Sequence, residues 1–133
     1  MSLKKVILCV DDEKIVLNSL VTQLKNHFGN HYLYEMVENT EEGWEVIEEI
    51  LAAGDELALV ISDWLMPLEK GDQFLIDVHA RVPSAALIML SGHADEASVE
   101  RARKYAHLQC FIRKPWDKEE LIREVETALA TSA

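Results

Sequence analysis

The sequence predicts a doubly wound α/β domain, and three observations predict it. Short, continuous apolar runs recur along the 133 residues; segments with helical period lie between them; and the two kinds alternate strictly from one end to the other. Such alternation demands right-handed crossovers and a parallel sheet covered by helices on both faces. The length supports a single hydrophobic core.

Val6-Ile7-Leu8-Cys9-Val10 opens the series as a β-branched run that reads as a strand buried on both faces. A helical segment follows, with Ile15, Val16, Leu20, Leu24 and Phe28 on its apolar stripe. Tyr32 to Val37 is a more polar strand that suits a sheet edge. Trp44, Ile47 and Leu51 mark the second helix and read as core; Leu57 to Ile61 is the third strand. Phe74, Leu75 and Val78 mark the third helix, and Ala86 to Leu90 the fourth strand. Val99, Ala102 and Ala106 mark a fourth helix that starts near Asp95, whose side chain is placed to cap it. Cys110 to Ile112 is the fifth strand. The last helix runs from Asp117, with Leu121, Val125 and Leu129 on one stripe and Glu119 and Glu120 in the first turn, where the helix dipole favours acid. No internal repeat, low-complexity stretch or linker interrupts the series.

Thirteen basic against 24 acidic residues, Lys+Arg 13 and Asp+Glu 24, leave a formal net charge of -11 at pH 7. There is no overall basic surface for a phosphate backbone, so direct nucleic-acid binding is not expected. The longest apolar runs, such as Ala85 to Leu90, fall far short of the ~18 residues of a membrane helix, and no secretory leader is visible. The expectation is a cytoplasmic protein with no membrane partner. Cys9 and Cys110 sit inside strand-like runs without a CxxC or His-rich neighbourhood, which reads as buried thiols. Residues 1–3 precede the first patterned residue and read as an appended scar, leaving residues 4–133 as the domain.

Parallel sheets of this kind take their ligands beyond the carboxyl ends of the strands. Asp11 and Asp12 follow the first strand, Asp63 the third, Ser91 the fourth, and Lys114 and Pro115 the fifth. Three carboxylates brought to one mouth repel one another and call for a cation. Oxygen-only ligands suit a hard ion, and few protein ligands with retained waters suit Mg²⁺ better than Ca²⁺. Lys114 is a flexible point charge that can pair with an anion there, and Ser91 adds a hydroxyl donor. Metal, cation, hydroxyl and carboxylate together are the parts of a phosphoryl-transfer site. Singly, each residue has a plainer reading: Asp11 and Asp12 as helix initiators, Ser91 as a turn residue, Lys114 as surface charge. Their joint placement after four different strands is what the plainer readings leave unexplained.

The strand-end segments are Val10-Asp11-Asp12-Glu13; Ser62-Asp63-Trp64-Leu65-Met66-Pro67 with Gly71 eight residues past Asp63; Leu90-Ser91-Gly92-His93-Ala94; and Phe111-Ile112-Arg113-Lys114-Pro115-Trp116. On these residues the sequence resembles the receiver domains of two-component response regulators over nearly its whole length. The resemblance implies a five-stranded flavodoxin-like fold of strand order 2-1-3-4-5. It implies Asp63 as phosphoacceptor, Asp11 and Asp12 as the acidic pair at Mg²⁺, and a Leu65 backbone carbonyl as a further metal ligand. Ser91 becomes the switch hydroxyl, Lys114 the phosphoryl-binding lysine, Phe111 the aromatic that changes rotamer, and Lys114-Pro115 a cis bond. The implied partners are a sensor histidine kinase or histidine phosphotransfer protein, an output domain or downstream protein on the face of the fourth helix, fifth strand and fifth helix, and a homodimer on phosphorylation. The resemblance implies a regulatory module, not an enzyme, that catalyses only its own phosphorylation and dephosphorylation; no output domain is expected in these residues.

Some residues depart from the family pattern. Glu69 and Lys70 replace a hydrophobic and acidic pair, His107 stands where many relatives have glycine, and His93 lies two residues past Ser91. Trp116 resembles receivers attached to several output types. A dehalogenase-like phosphatase is the competing enzyme reading, but its second Asp is replaced here by Leu65. A flavodoxin would need a Ser/Thr/Gly-rich phosphate loop where Asp11 and Asp12 stand. A receiver fold kept purely for interaction is the third reading, and the intact set of five site residues argues against it.

Overall fold

A computed structural model describes residues 3–66, 70–92 and 95–131. Met1, Ser2, Pro67, Glu69, His93 and Ala94, singled out above, lie outside the described residues.

The elements follow the expected alternation: β1 (Lys5–Val10), α1 (Lys14–Phe28), a 3-10 turn (Gly29–His31), β2 (Leu33–Val37), α2 (Thr40–Ala52), β3 (Glu56–Asp63), α3 (Gly71–Arg81), β4 (Ala86–Ser91), α4 (Glu96–Ala106), β5 (Cys110–Arg113) and α5 (Lys118–Thr131). All neighbouring strands pair in parallel, in the order β2-β1-β3-β4-β5. The strand order reverses between β1 and β3, so the crevice at their carboxyl ends is where a ligand site forms.

Two apolar cores flank the sheet because successive strand residues point to opposite faces. Val6, Leu8 and Val10 join the core under α2, α3 and α4, while Ile7 and Cys9 join the one under α1 and α5. A register shift between Val6 and Ile7 gives β3 one extra residue against β1, which is how Leu57 and Val60 come to share a face. β2 is the exposed edge strand its composition predicts, with only Val37 fully buried. Asp95 caps α4, accepting from the Ser98 N–H at 2.7 Å.

Ile15 corrects the expected stripe of the first helix. Its side chain is 84% exposed, and the buried set of α1 is Leu17, Leu20, Val21 and Leu24. A helix laid on a sheet buries one stripe, and Ile15 falls off it at the end where α1 overhangs the mouth. Trp44 and Leu51 are half-buried at the core margin, with Trp44 meeting Phe74 edge-on at 5.7 Å. Cys9 is a buried free thiol and Cys110 a half-buried one; burial pushes both up to about 12. Among the described residues, no helix is long and apolar enough to cross a membrane.

Candidate functional site

The sheet brings Asp11, Asp12, Asp63, Ser91 and Lys114 to one mouth. Asp63 ends β3 and Ser91 ends β4; their register sets Asp63 opposite Leu90 and Ser91 opposite Arg113. The ladder continues one residue past β5, where the Lys114 N–H donates to the Ser91 carbonyl at 3.2 Å. That bond fixes where the lysine leaves the sheet, and the Lys114-Pro115 peptide that follows is cis. Asp11 continues β1 in the same way, its N–H donating to the Val37 carbonyl at 3.2 Å, and its Oδ1 accepts from the Glu13 N–H at 2.9 Å. Asp11 thus braces the turn before α1 without capping the helix, whose N-cap is Glu13, while its other oxygen faces the mouth.

That other oxygen lies 2.6 Å from Lys114 Nζ, which is also 3.4 Å from Asp63 Oδ1. Asp11 and Asp63 are buried, whereas Asp12 is exposed. One oxygen from each of the three carboxylates lies within 4.8 Å of the others. The one ammonium therefore serves Asp11 and Asp63 of this cluster, with Glu13 at 3.9 Å. Burial, then the charge of Asp11, push the Asp63 carboxyl up to about 6 despite the opposing pull of Lys114. Burial alone would lower the Lys114 ammonium; its hydrogen bond to Asp11 and the charges of Asp63 and Asp11 reverse that and leave it raised. A second cation is what this donor set lacks, and a hard divalent ion fits carboxylate oxygens.

The mouth opens into a cleft of about 1020 Å³ that runs along α1. Leu65, 48% exposed, and Ile15 line it, as do Pro115 and Trp116, whose indole N–H donates to Gln23 Oε1 at 2.8 Å. Gln23 and Trp116 are 93 residues apart, and no signal in the sequence pairs them. Phe111 is half-buried against the core under α2, α3 and α4, with Arg113 5.6 Å from its ring centroid.

Residues 7–126 match the family model described as response regulator receiver domain. The chain belongs to that family. The response regulator Rre1 of Synechocystis sp. is 31% identical over 127 residues, 93% of this chain and 51% of that protein. The hydrogenase transcriptional regulatory protein HoxA of Bradyrhizobium diazoefficiens is 26% identical over 129 residues, 97% of this chain and 25% of that protein. The receiver domain thus spans between a quarter and about half the length of these curated relatives. Among solved structures, the signal receiver domain of an HD domain-containing protein from Pseudomonas fluorescens Pf-5 superposes with a TM-score of 0.83 at 26% identity, covering 99% of this chain and 91% of that one. A CheY-like receiver domain protein from Methanospirillum hungatei JF-1 gives 0.83 at 27% identity, covering 98% and 97%. The receiver fold and the role of a regulatory module of response regulators are therefore established for this chain.

Proposed function

We propose that this receiver domain takes a phosphoryl group onto Asp63 from a phosphohistidine on a sensor histidine kinase or histidine phosphotransfer protein. The observation that carries the reading is Lys114 Nζ lying against both Asp11, at 2.6 Å, and Asp63, at 3.4 Å, in the crevice where the strand order reverses. An Asp63 oxygen attacks phosphorus, the P–N bond breaks, and its electron pair leaves with the imidazole. Lys114 sits beside the attacking carboxylate and can pair with the oxygens of the transferring group. Asp11, Asp12, Asp63 and the Leu65 carbonyl would hold Mg²⁺, which supplies charge neutralisation at the phosphoryl oxygens. Ser91, buried at the end of β4, is the hydroxyl that reports the new group, and Phe111 is the aromatic that responds.

Ile15 and Leu65, exposed at the cleft, offer apolar surface to the phosphodonor protein. The domain catalyses no reaction beyond its own phosphorylation and dephosphorylation and passes the signal to an output domain or partner on the face of α4, β5 and α5, with homodimerisation as one readout. The same reading puts it in the cytoplasm and takes residues 4–133 as one domain.

Acetyl phosphate with Mg²⁺ tests the assignment, since Asp63 needs only an activated phosphorus held in line. Intact-mass spectrometry should find one hydroxylamine-sensitive phosphoryl group in the wild type and none in Asp63→Asn. Equal labelling of both proteins, or a phosphate on Ser91, would refute it.

A further inference from the structure

The mouth has two arms, α3 beyond Asp63 and α4 beyond Ser91, and the structure ties them together away from the mouth. α3 is bound tightly to the strand carrying Asp63: the Gly71 N–H donates to the Trp64 carbonyl at 2.7 Å, and a Cβ on Gly71 would stand 2.0 Å from the Asp63 carbonyl oxygen. One residue on, Asp72 is 5% exposed, and its Oδ2 accepts from Arg101 Nη1 of α4 at 3.2 Å. Arg101 Nη2 also donates to Gln73 Oε1. Among the described residues, Asp72 Oδ1 is buried without a hydrogen-bond partner, and so is the indole N–H of Trp64, whose ring centroid lies 5.0 Å from the Lys70 ammonium.

A buried carboxylate with one oxygen unmatched is costly. Its partner Arg101 has a side chain 44% exposed, where solvent screens an ion pair. A contact meant only to brace two helices would be apolar or fully hydrogen-bonded. This one leaves an acceptor and a donor unspent on the segment that follows the acidic mouth. Each buried group left unsatisfied in a native structure calls for an explanation, and strain that a change of conformation releases is one such explanation.

We propose that the clamp of Asp72, Gln73 and Arg101 holds α4 against α3 in the unphosphorylated domain and thereby sets the fraction of molecules in the activated conformation. The inference rests on Asp63 as phosphoacceptor and adds the regulation of that site. Asp72 and Arg101 are positioning residues: neither lies at the mouth, and both act through the placement of α4. Releasing the clamp raises the fraction competent for the phosphorylated state, so a ligand that selects that state binds more tightly in apparent terms.

Beryllofluoride with Mg²⁺, a stand-in for the phosphoryl group on Asp63, provides the measurement. Tryptophan fluorescence gives its apparent affinity, and hydrogen exchange follows α4. Arg101→Gln and the near-isosteric Asp72→Asn should each tighten binding by roughly three- to tenfold, and the double variant by no more than the larger single effect, because the two residues share one contact. Without beryllofluoride, α4 in each variant should exchange as in the treated wild type. Affinities unchanged within about twofold in both single variants, or weakened, would show a mere brace and overturn the proposal. A wild type that ignores beryllofluoride would instead remove the Asp63 reading on which it stands.

Discussion

At the scale of single residues, the chemistry of the mouth is an imbalance of charge. Asp63, buried among like charges, binds its proton more readily in the folded chain than in the unfolded one, being raised from 3.8 to about 6. Metal-free stability therefore falls as pH rises through about 6 and is recovered toward about pH 4. Asp63→Asn removes the cost. In EDTA the variant should be more stable than the wild type by on the order of 1–3 kcal/mol near pH 7.5, and denaturant melts should show the difference closing near pH 4. Mg²⁺ at ~100 times its dissociation constant should add about 2.7 kcal/mol to the wild type by binding only the native state. Asp12→Ala, which takes away an exposed carboxylate of the acidic cluster without opening the core, should abolish most of that gain. Gly71 is the residue whose lack of a side chain is required, since the atoms a Cβ would meet at 2.0 Å and 2.9 Å are backbone and cannot swing away. Gly71→Ala should cost at least the upper part of the about 1–3 kcal/mol range for overpacking, read from the same melts.

At the scale of elements, α4 ends in an unusual way. His107 takes the left-handed conformation, φ 54° and ψ 48°, at the position that glycine fills in many helix ends. Its ring stacks on His79 of α3 at 4.4 Å between centroids. Burial, then the neighbouring His107, lower the His79 pKa from 6.5. A histidine depressed in the folded state is protonated preferentially in the unfolded chain, so its contribution favours folding above about pH 6.5 and is lost as pH falls below it. His107→Gly should relieve the backbone cost and the like-charge contact together. The expected gain is about 1 kcal/mol at neutral pH, with a smaller loss of stability on acidification to about pH 5.5; paired denaturant melts at the two pH values measure both.

At the scale of the whole molecule, the acidic mouth lies at one end of the sheet while the face of α4, β5 and α5 lies along its side, so the proposed function requires a signal to pass through Ser91, Phe111 and the helix that follows Ser91. Ser91 is buried, and Phe111 stands in register with Met89 two residues before it. Ser91→Ala should still accept a phosphoryl group on Asp63 while losing much of the coupling, because a hydroxyl contact present in only one state is gone. Hydrogen exchange on beryllofluoride binding should change across α4 and β5 in the wild type and much less in Ser91→Ala. Equal changes in the two proteins, or changes confined to α1 and α2, would mean that the signal leaves by another face.

Whatever depends on local pattern was legible in the amino-acid order. Alternating apolar runs and helical periods are set by the side-chain spacing of strands and helices, so all five strands, all five α-helices and the edge character of β2, though not the 3-10 turn, could be read before any coordinates. Strand-end position alone brought Asp11, Asp12, Asp63, Ser91 and Lys114 together, because a parallel sheet carries all its carboxyl ends to one side. The tertiary structure decided what depends on how elements lie against one another. Ile15 satisfies the helical period yet faces the cleft, since only the placement of α1 on the sheet determines where its stripe stops. Gln23 with Trp116, Asp72 with Arg101, and His79 with His107 join residues far apart in the chain, and no periodicity links such pairs. The imbalance at Asp63 was visible as a count of charges, but its size follows from burial and from distances of a few ångströms, which are properties of the packed molecule.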